Sequence, residues 1–376
     1  MTTKLRAARD RAGLKQSQVI AELTRRAATA GLAIALPASL KTMLSQFGNE
    51  HRPVNEPYRG LFRSIYGLTD EELFGAEPVA SSEQQSEYDL FAERISSARA
   101  VGPETAEVFA QQTDALRAAD CHLGVAPLLD QMATHLSTLE NALSHAIVPS
   151  VRRPLAAVLA DAAAIAAWQA LDIGVINRAW SYHEKARAAA LEAQDVVLLT
   201  HAMAQQAMVL LEVGDVASAR ELAQVALDEA GTKVPERFRA WLHAAEAEVC
   251  SVADDASACR RGFDVARELV PAGDDAVEPG MPFIILNASH LARWQGNALA
   301  RLGDPDAVDH LYRALDGNGA ITSRAKAGLH CDLATAHLQR GERDDASEHA
   351  SRARKLARQA GSIRQQRRVD KLLIVA

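Results

Sequence analysis

The stretch from Pro37 to Gly75, PASLKTMLSQFGNEHRPVNEPYRGLFRSIYGLTDEELFG, decides how the N-terminal part of the chain is read. Leu40, Met43, Leu44 and Phe47 recur at i, i+3, i+4 and i+7, which commits one stripe of a short helix to a core. The opposite face is left polar. It carries Lys41, Thr42, Ser45 and Gln46, side chains that reach phosphates or base edges when such a helix lies in a major groove. Ser39 is the expected N-cap after Pro37, and Gly48 with Asn49 the expected stop.

Upstream, Leu5, Ala8, Arg9 and Ala12 predict a first amphipathic helix ended by Gly13. The run LKQSQVIAEL predicts a second helix beginning near Gln16 or Ser17, with Val19, Ile20 and Leu23 as its buried face. Downstream, His51, Arg52 and Pro53 make a stiff basic loop, and Tyr58, Leu61, Phe62, Ile65 and Tyr66 repeat at helical spacing before Gly67. A last short helix, TDEELFG, places Thr69 three residues before Glu72, the spacing of a capping box. This helix order, with a polar face and a basic loop, is what a helix-turn-helix DNA-reading module requires.

GLKQSQVIAEL, SLKTMLSQF, NEHRPV and YGLTDEELFG together resemble the lambda-repressor-like (XRE) helix-turn-helix of actinobacterial transcription regulators. The resemblance implies that Gln16 and Ser17 touch the DNA backbone and that Lys41, Thr42, Ser45 and Gln46 face the groove. Two departures stand out. The tight turn usual between the second and third helices is replaced by TRRAATAGLAIALPA, so the second helix is expected to run on through Arg25, Arg26 and Ala28. Phe47 stands where the family commonly has Trp, keeping the packing role and losing the indole N–H.

A chain of 376 residues, 48% of them hydrophobic, has material for two or three domains and a sizeable core. Residues 1–75 hold 11 Lys/Arg against 7 Asp/Glu, about +4, which leaves about −11 for the remainder of a chain whose net charge is −7. A basic head on an acidic body fits a protein that touches DNA at one end. Cys121, Cys250, Cys259 and Cys331 have neither metal-ligand spacing nor the density of a secreted disulfide scaffold, so buried reduced thiols are expected. No apolar run approaches the roughly 18 residues of a membrane span, and MTTKLRAARDRAG is amphipathic rather than a signal peptide. A cytoplasmic protein with no membrane association follows as the expectation.

Ala-rich composition and few β-branched runs predict helix throughout the rest, giving an all-α chain. The expected organisation is a helix-turn-helix domain over 1–75, a linker over 76–83, connecting helices over 84–149 for irregular repeats or dimerisation, and helical repeats over 150–376. With Gly174, Gly214, Gly303 and Gly341 as turn markers, Ala167, Ala207, Gly296 and Ala334 all lie seven residues upstream. Ala179, Ala219 and Ala346 lie five downstream and Ala186, Ala226 and Ala353 twelve downstream; the third copy has Ala307 and Ala314, one residue early. Small residues there let paired helices approach closely, in a pattern that resembles the tetratricopeptide repeat, an α-solenoid. A weaker copy has its turn near VADDASA between helices over 236–252 and 256–269. The segment PAGDDAVEPGMPF reads as a loop, and the final helix, SIRQQRRVDKLLIVA, as a partnerless cap.

The layout of the two parts is similar to that of the peptide-sensing regulators of quorum-sensing bacteria, and so implies a ligand-gated homodimer. On the first helix of each repeat, turns apart, the residues expected on the inner face include Trp168, His201, Gln205, His290, Arg293, Asn297 and Asp332. Arg and Asn suit a peptide's carboxylate and backbone, so a peptide or other small effector is the expected partner besides double-stranded DNA. Trp168 is also a natural packing residue. There is no HExxH, GxSxG, Walker loop or GxGxxG, and His183–Glu184 and the pair His337 and His349 lack a third ligand at metal spacing. No catalysis, cofactor or metal is therefore expected. The basic residues from Arg352 to Lys371 read as solubilising a capping helix. The rival class is a tetratricopeptide adaptor whose head has lost DNA binding.

Overall fold

The structure, a computed structural model, describes residues 3–49, 53–75, 91–92, 95–96, 102–271, 273, 277–278, 280–316 and 322–375. It is all-α apart from one short hairpin and divides into two compact units, 1–93 and 94–376.

In the first unit, α1 (Lys4–Arg11), α2 (Gln16–Thr29), α3 (Pro37–Gly48), α4 (Tyr58–Tyr66) and α5 (Asp70–Phe74) surround one core. Leu23, Leu40, Phe62 and Leu73 are fully buried in this unit. Phe47 meets the edge of Phe62 at 6.3 Å and packs on Tyr58 at 5.7 Å, so the phenyl ring fills the position without an indole. As expected, α2 runs on to Thr29; the connection after it is tied down by the Ala35 amide donating to the Tyr58 hydroxyl at 2.9 Å. Thr69 and Glu72 form the capping box at α5, each side chain accepting from the other's backbone N–H. Two local expectations are corrected. Helix α3 starts two residues before Ser39, with Pro37 at its first position, because the proline ring sets a helical φ and its missing N–H needs no partner there. Ile20 is only half-buried, leaving Val19 and Leu23 as the buried stripe of α2.

The second unit begins with α6 (Pro103–Leu123) and α7 (Leu129–His145), which pack on α8 (Pro149–Asp172). Hairpins follow: α8 with α9 (Ile176–Ala193), α10 (Val196–Glu212) with α11 (Val216–Ala230), and α12 (Glu236–Val252) with α13 (Ala256–Leu269). Next come α14 (Ala288–Arg301) with α15 (Ala307–Asp316), α16 (Ser323–Gln339) with α17 (Arg343–Gln359), and a last helix, α18 (Ile363–Val375). The small residues that marked the repeat, Ala167, Ala207 and Ala334 upstream and Ala186, Ala226 and Ala353 downstream, are all fully buried where paired helices meet. The turn glycines 174, 214, 303 and 341 all have φ between 69° and 84°. Asp254 takes the same left-handed conformation at φ 55° in the weaker copy, and Ala247, Cys259 and Ala266, at the offsets −7, +5 and +12 from it, are fully buried. That copy keeps the register and replaces only the glycine, with a residue type whose short polar side chain tolerates left-handed backbone.

Three expectations about this unit are corrected. Part of the segment read as a loop pairs as an antiparallel hairpin, β1 (Val277–Glu278) with β2 (Met281–Ile285), whose Ile284 is fully buried against α12 and its neighbours. Helix α18 is not partnerless: besides α16 and α17 it packs on α8, at the far end of the array. Arg324 on α16 pairs with Asp120 of α6 and with Asp172 of α8, while the Ser362 hydroxyl donates to Asp172 Oδ1 at 2.5 Å. Nearby, Gly124 has φ 77°, and a Cβ there would run into the Ala360 carbonyl. The last repeat therefore closes on the first. Finally, α8 is long and apolar enough to cross a membrane, contrary to expectation, but 67% of its apolar window is buried inside the array, where its hydropathy serves the core.

Candidate functional site

The residues expected to meet DNA converge where α2 begins and α3 runs past it. Gln16 Nε2 donates to the Lys41 carbonyl at 3.0 Å, so the amide expected on the DNA backbone also fixes the start of α2 against α3. Lys41, Thr42 and Ser45 are exposed with no side-chain partner among the described residues, and Ser17, next to Gln16 in sequence, is exposed; Gln46 is half-buried. His51 and Arg52 lie outside the described residues.

Arg6 and Arg9 of α1, with Gln16, Ser45, Asn49 and Tyr66, line a hollow between α1, α2, α3 and α4. Arg6 donates to Asn49 Oδ1 at 3.3 Å, and Thr3 Oγ1 to the Gly48 carbonyl at 2.7 Å, which together tie α1 to the end of α3. Arg9 pairs with the neighbouring Asp10 at 3.0 Å and stays partly exposed. Neither arginine stands out in the sequence as a member of this surface; only their i, i+3 spacing marks them.

Within the helical array the expected effector residues are engaged in separate small groups. Asn297 Nδ2 donates to Asp332 Oδ1 at 2.6 Å, and Arg368 of α18 pairs with the same carboxylate. His290 Nδ1 lies 2.7 Å from Asn287 Oδ1. Trp168 lies beneath the Arg364 guanidinium, 5.4 Å from its ring centre, so it packs against the closing helix rather than lining an open groove. His201 is buried among aromatics, 4.8 Å from the Phe283 ring on β2 and 5.1 Å from Trp241, with Gln205 Nε2 3.0 Å from its Nε2. Burial holds the His201 imidazole neutral, its pKa pushed down to about 3, and does the same to His183.

Some inner groups keep unused valence. His201 Nδ1 and Gln205 Oε1 are buried without a hydrogen-bond partner among the described residues. Arg293 has no ion-pair partner among the described residues, whereas Arg301, Arg324 and Arg368 on the same series of helices are paired with Glu248, Asp120 and Asp332. Burial lowers the Arg293 pKa, with Asp332 acting in the opposite direction.

Several of the basic C-terminal residues are engaged within the molecule: Arg352 with Glu348, Arg354 with Asp370 and Arg364 with Glu212. The fold also supplies what the histidine spacing lacked, bringing His330, His337 and His349 together with Tyr312.

No family model matches the chain, and no curated protein matches it. Among solved structures, BtubC (BKLC) from P. vanneervenii is similar at 16% identity, over 62% of this chain and 91% of that one, with a TM-score of 0.44. A likeness at that level carries no argument about function.

Proposed function

We propose that this protein is a cytoplasmic, sequence-specific DNA-binding transcription regulator. In this reading α3 enters the major groove, the start of α2 and the Arg6–Arg9 face of α1 lie on flanking phosphates, and the helical array pairs two copies and senses an effector. The observation that carries it is the Gln16–Lys41 hydrogen bond, which joins the start of α2 to a helix whose outer residues Lys41, Thr42 and Ser45 are exposed and unengaged. A helix that served only to pack or dimerise would not need a polar face beside a cation-lined hollow, which speaks against the adaptor alternative. Short recognition helices read pseudo-palindromes as dimers, because one helix makes too few base contacts for useful specificity.

The effector reading rests on unmet valence. A peptide carboxylate would supply the partner that Arg293 lacks, in a bidentate contact, and amide groups would satisfy His201 Nδ1 and Gln205 Oε1. Such a ligand would compete with the Asn297–Asp332 bond and with Phe283 over His201, so binding and repacking of the inner face would be one event.

Selection of bound duplexes from a randomised pool by the full chain tests the DNA claim. Enrichment of an inverted repeat whose half-sites are about one helical turn apart is expected. Recovery of unenriched sequence at all salt concentrations would remove the claim.

A further inference from the structure

The geometry points to a divalent transition-metal site at the turn between α16 and α17, formed by His337, Glu342 and Asp345 and organised from behind by Tyr312, His349 and His330. One ligand atom from each of the three residues lies within 4.8 Å of the other two, and His337 Nδ1 is already 2.6 Å from Glu342 Oε2. In a tetrahedral site with metal–ligand bonds near 2.0–2.1 Å, ligand atoms sit ~3.3 Å apart, so closure needs only rotation of side chains. Asp345 is exposed and can make that movement; Glu342 is half-buried and also pairs with Arg340 at 3.2 Å through its other oxygen, which leaves Oε2 on His337; His337 is buried. One imidazole with two carboxylates suits a zinc-like ion and leaves a coordination position toward solvent.

Acids at the start of α17 are by themselves explained by the helix dipole. The array behind them is not. His337 Nε2 lies 3.3 Å from the Tyr312 hydroxyl, which lies 3.1 Å from His349 Nε2, and His349 Nδ1 lies 2.9 Å from His330 Nδ1. The His337 and His349 rings are stacked at 5.4 Å with 6° between their planes. Two facing ring nitrogens at 2.9 Å must share one proton, so the chain of donors has a direction.

In one direction His330 donates to His349, His349 to the tyrosine oxygen, the tyrosine to His337, and His337 Nδ1–H to Glu342. In the other, His337 Nε2–H donates to Tyr312, Tyr312 to His349 and His349 to His330. That second arrangement leaves Nδ1 of His337 unprotonated and turned to the two carboxylates, as a ligand nitrogen must be. The two arrangements hold the same number of protons: one leaves Nδ1 of His337 and one enters Nε2 of His330. A ring nitrogen held by a hydrogen bond opposite the ligating one is how proteins fix a metal-binding imidazole.

The test uses tag-free full-length protein, stripped with chelator and titrated with Zn2+ by calorimetry, alongside thermal unfolding and Co2+ absorption. About one Zn2+ per chain, a raised unfolding midpoint and a Co2+ spectrum with nitrogen–oxygen ligation are expected. Asp345→Asn, on an exposed residue, should weaken Zn2+ binding at least tenfold, and His337→Ala should abolish it. Tyr312→Phe keeps every ligand and removes the orienting chain, and should weaken binding about tenfold. Wild-type protein that binds no Zn2+, or Asp345→Asn protein that binds it as tightly as wild type, would overturn the site.

Discussion

Replacing Arg324 by alanine tests whether the helical array is held closed. The guanidinium lies between Asp120 and Asp172, which are 204 and 152 residues upstream of it; the arginine side chain is 16% exposed and the carboxylates 9% and 4%. Gln169 Nε2 also donates to Asp120 at 3.3 Å and the Ser362 hydroxyl to Asp172, so each carboxylate has a second anchor in place. Removing the cation leaves two buried anions uncompensated, a loss of about 3–5 kcal/mol. That is a large share of the ~5–15 kcal/mol that holds a typical domain folded. An exposed pair offers the contrast: Arg220 with Asp255, 48% and 30% exposed, should cost about 0.2–1 kcal/mol when broken. Urea denaturation of the full chain, followed by circular dichroism, measures both. A solenoid unfolds through its nearest-neighbour contacts, so Arg324→Ala should also separate the melting of α16–α18 from that of α8–α11. Addition of Asp120→Asn and Asp172→Asn should recover part of the loss, because the anions then disappear with their partner. An Arg324→Ala variant within about 1 kcal/mol of wild type, with a single unchanged transition, would refute closure.

Gly214→Ala should destabilise by about 1–2 kcal/mol although nothing lies within 4 Å of the added methyl group, because φ there is 84°. Denaturant midpoints would measure it, and a neutral substitution would contradict the backbone argument. The neutral imidazoles of His183 and His201, pushed from 6.5 to about 3 by burial, make stability pH-dependent. The unfolded chain takes up protons below about pH 6.5 that the folded chain refuses, so their contribution is complete above that pH and lost as pH falls toward 3, at about 1.4 kcal/mol per unit for each histidine. His183→Leu should flatten the measured slope by about one proton. Arg293→Ala should leave DNA affinity unchanged while removing the response to an effector, read as a shift in DNA affinity on adding culture extract; a retained response would exclude Arg293 from the effector site.

The parts of the fold legible in the sequence were those written at short range. The 3.6 period around Leu40–Phe47 and Val19–Leu23 placed the head helices, and the capping box at Thr69 placed α5. Small residues at fixed offsets from a turn glycine placed the hairpins, and the same offsets around Asp254 would have secured the weaker copy had the left-handed tolerance of aspartate been used. Closure was not legible. Arg324, Asp120 and Asp172 are single polar residues on different helices, and a pairing across 152 to 204 residues leaves no periodic trace. The hairpin carried a signal in Pro279–Gly280, a turn dipeptide, but the strands on either side are too short to show a period of two, so the segment read as loop. The histidine cluster was hidden for a related reason: His330 and His337 are seven apart on α16, but His349 joins them only once α17 folds back across Gly341. For the head, residue types and spacing put Lys41, Thr42 and Ser45 on the outer face, while Arg6 and Arg9 joined that surface only through the packing of α1 against α3.

The proposed function requires that the outer face of α3 read DNA. Fluorescence anisotropy of the full chain on its selected duplex, repeated over a range of salt concentrations, tests it most directly. Affinity should fall linearly in log–log form with salt, and a Lys41→Ala variant should bind more weakly with a slope shallower by about one counterion per half-site, while Gln46→Ala should change sequence preference. Salt-independent binding, or a Lys41→Ala variant indistinguishable from wild type in both affinity and slope, would contradict it.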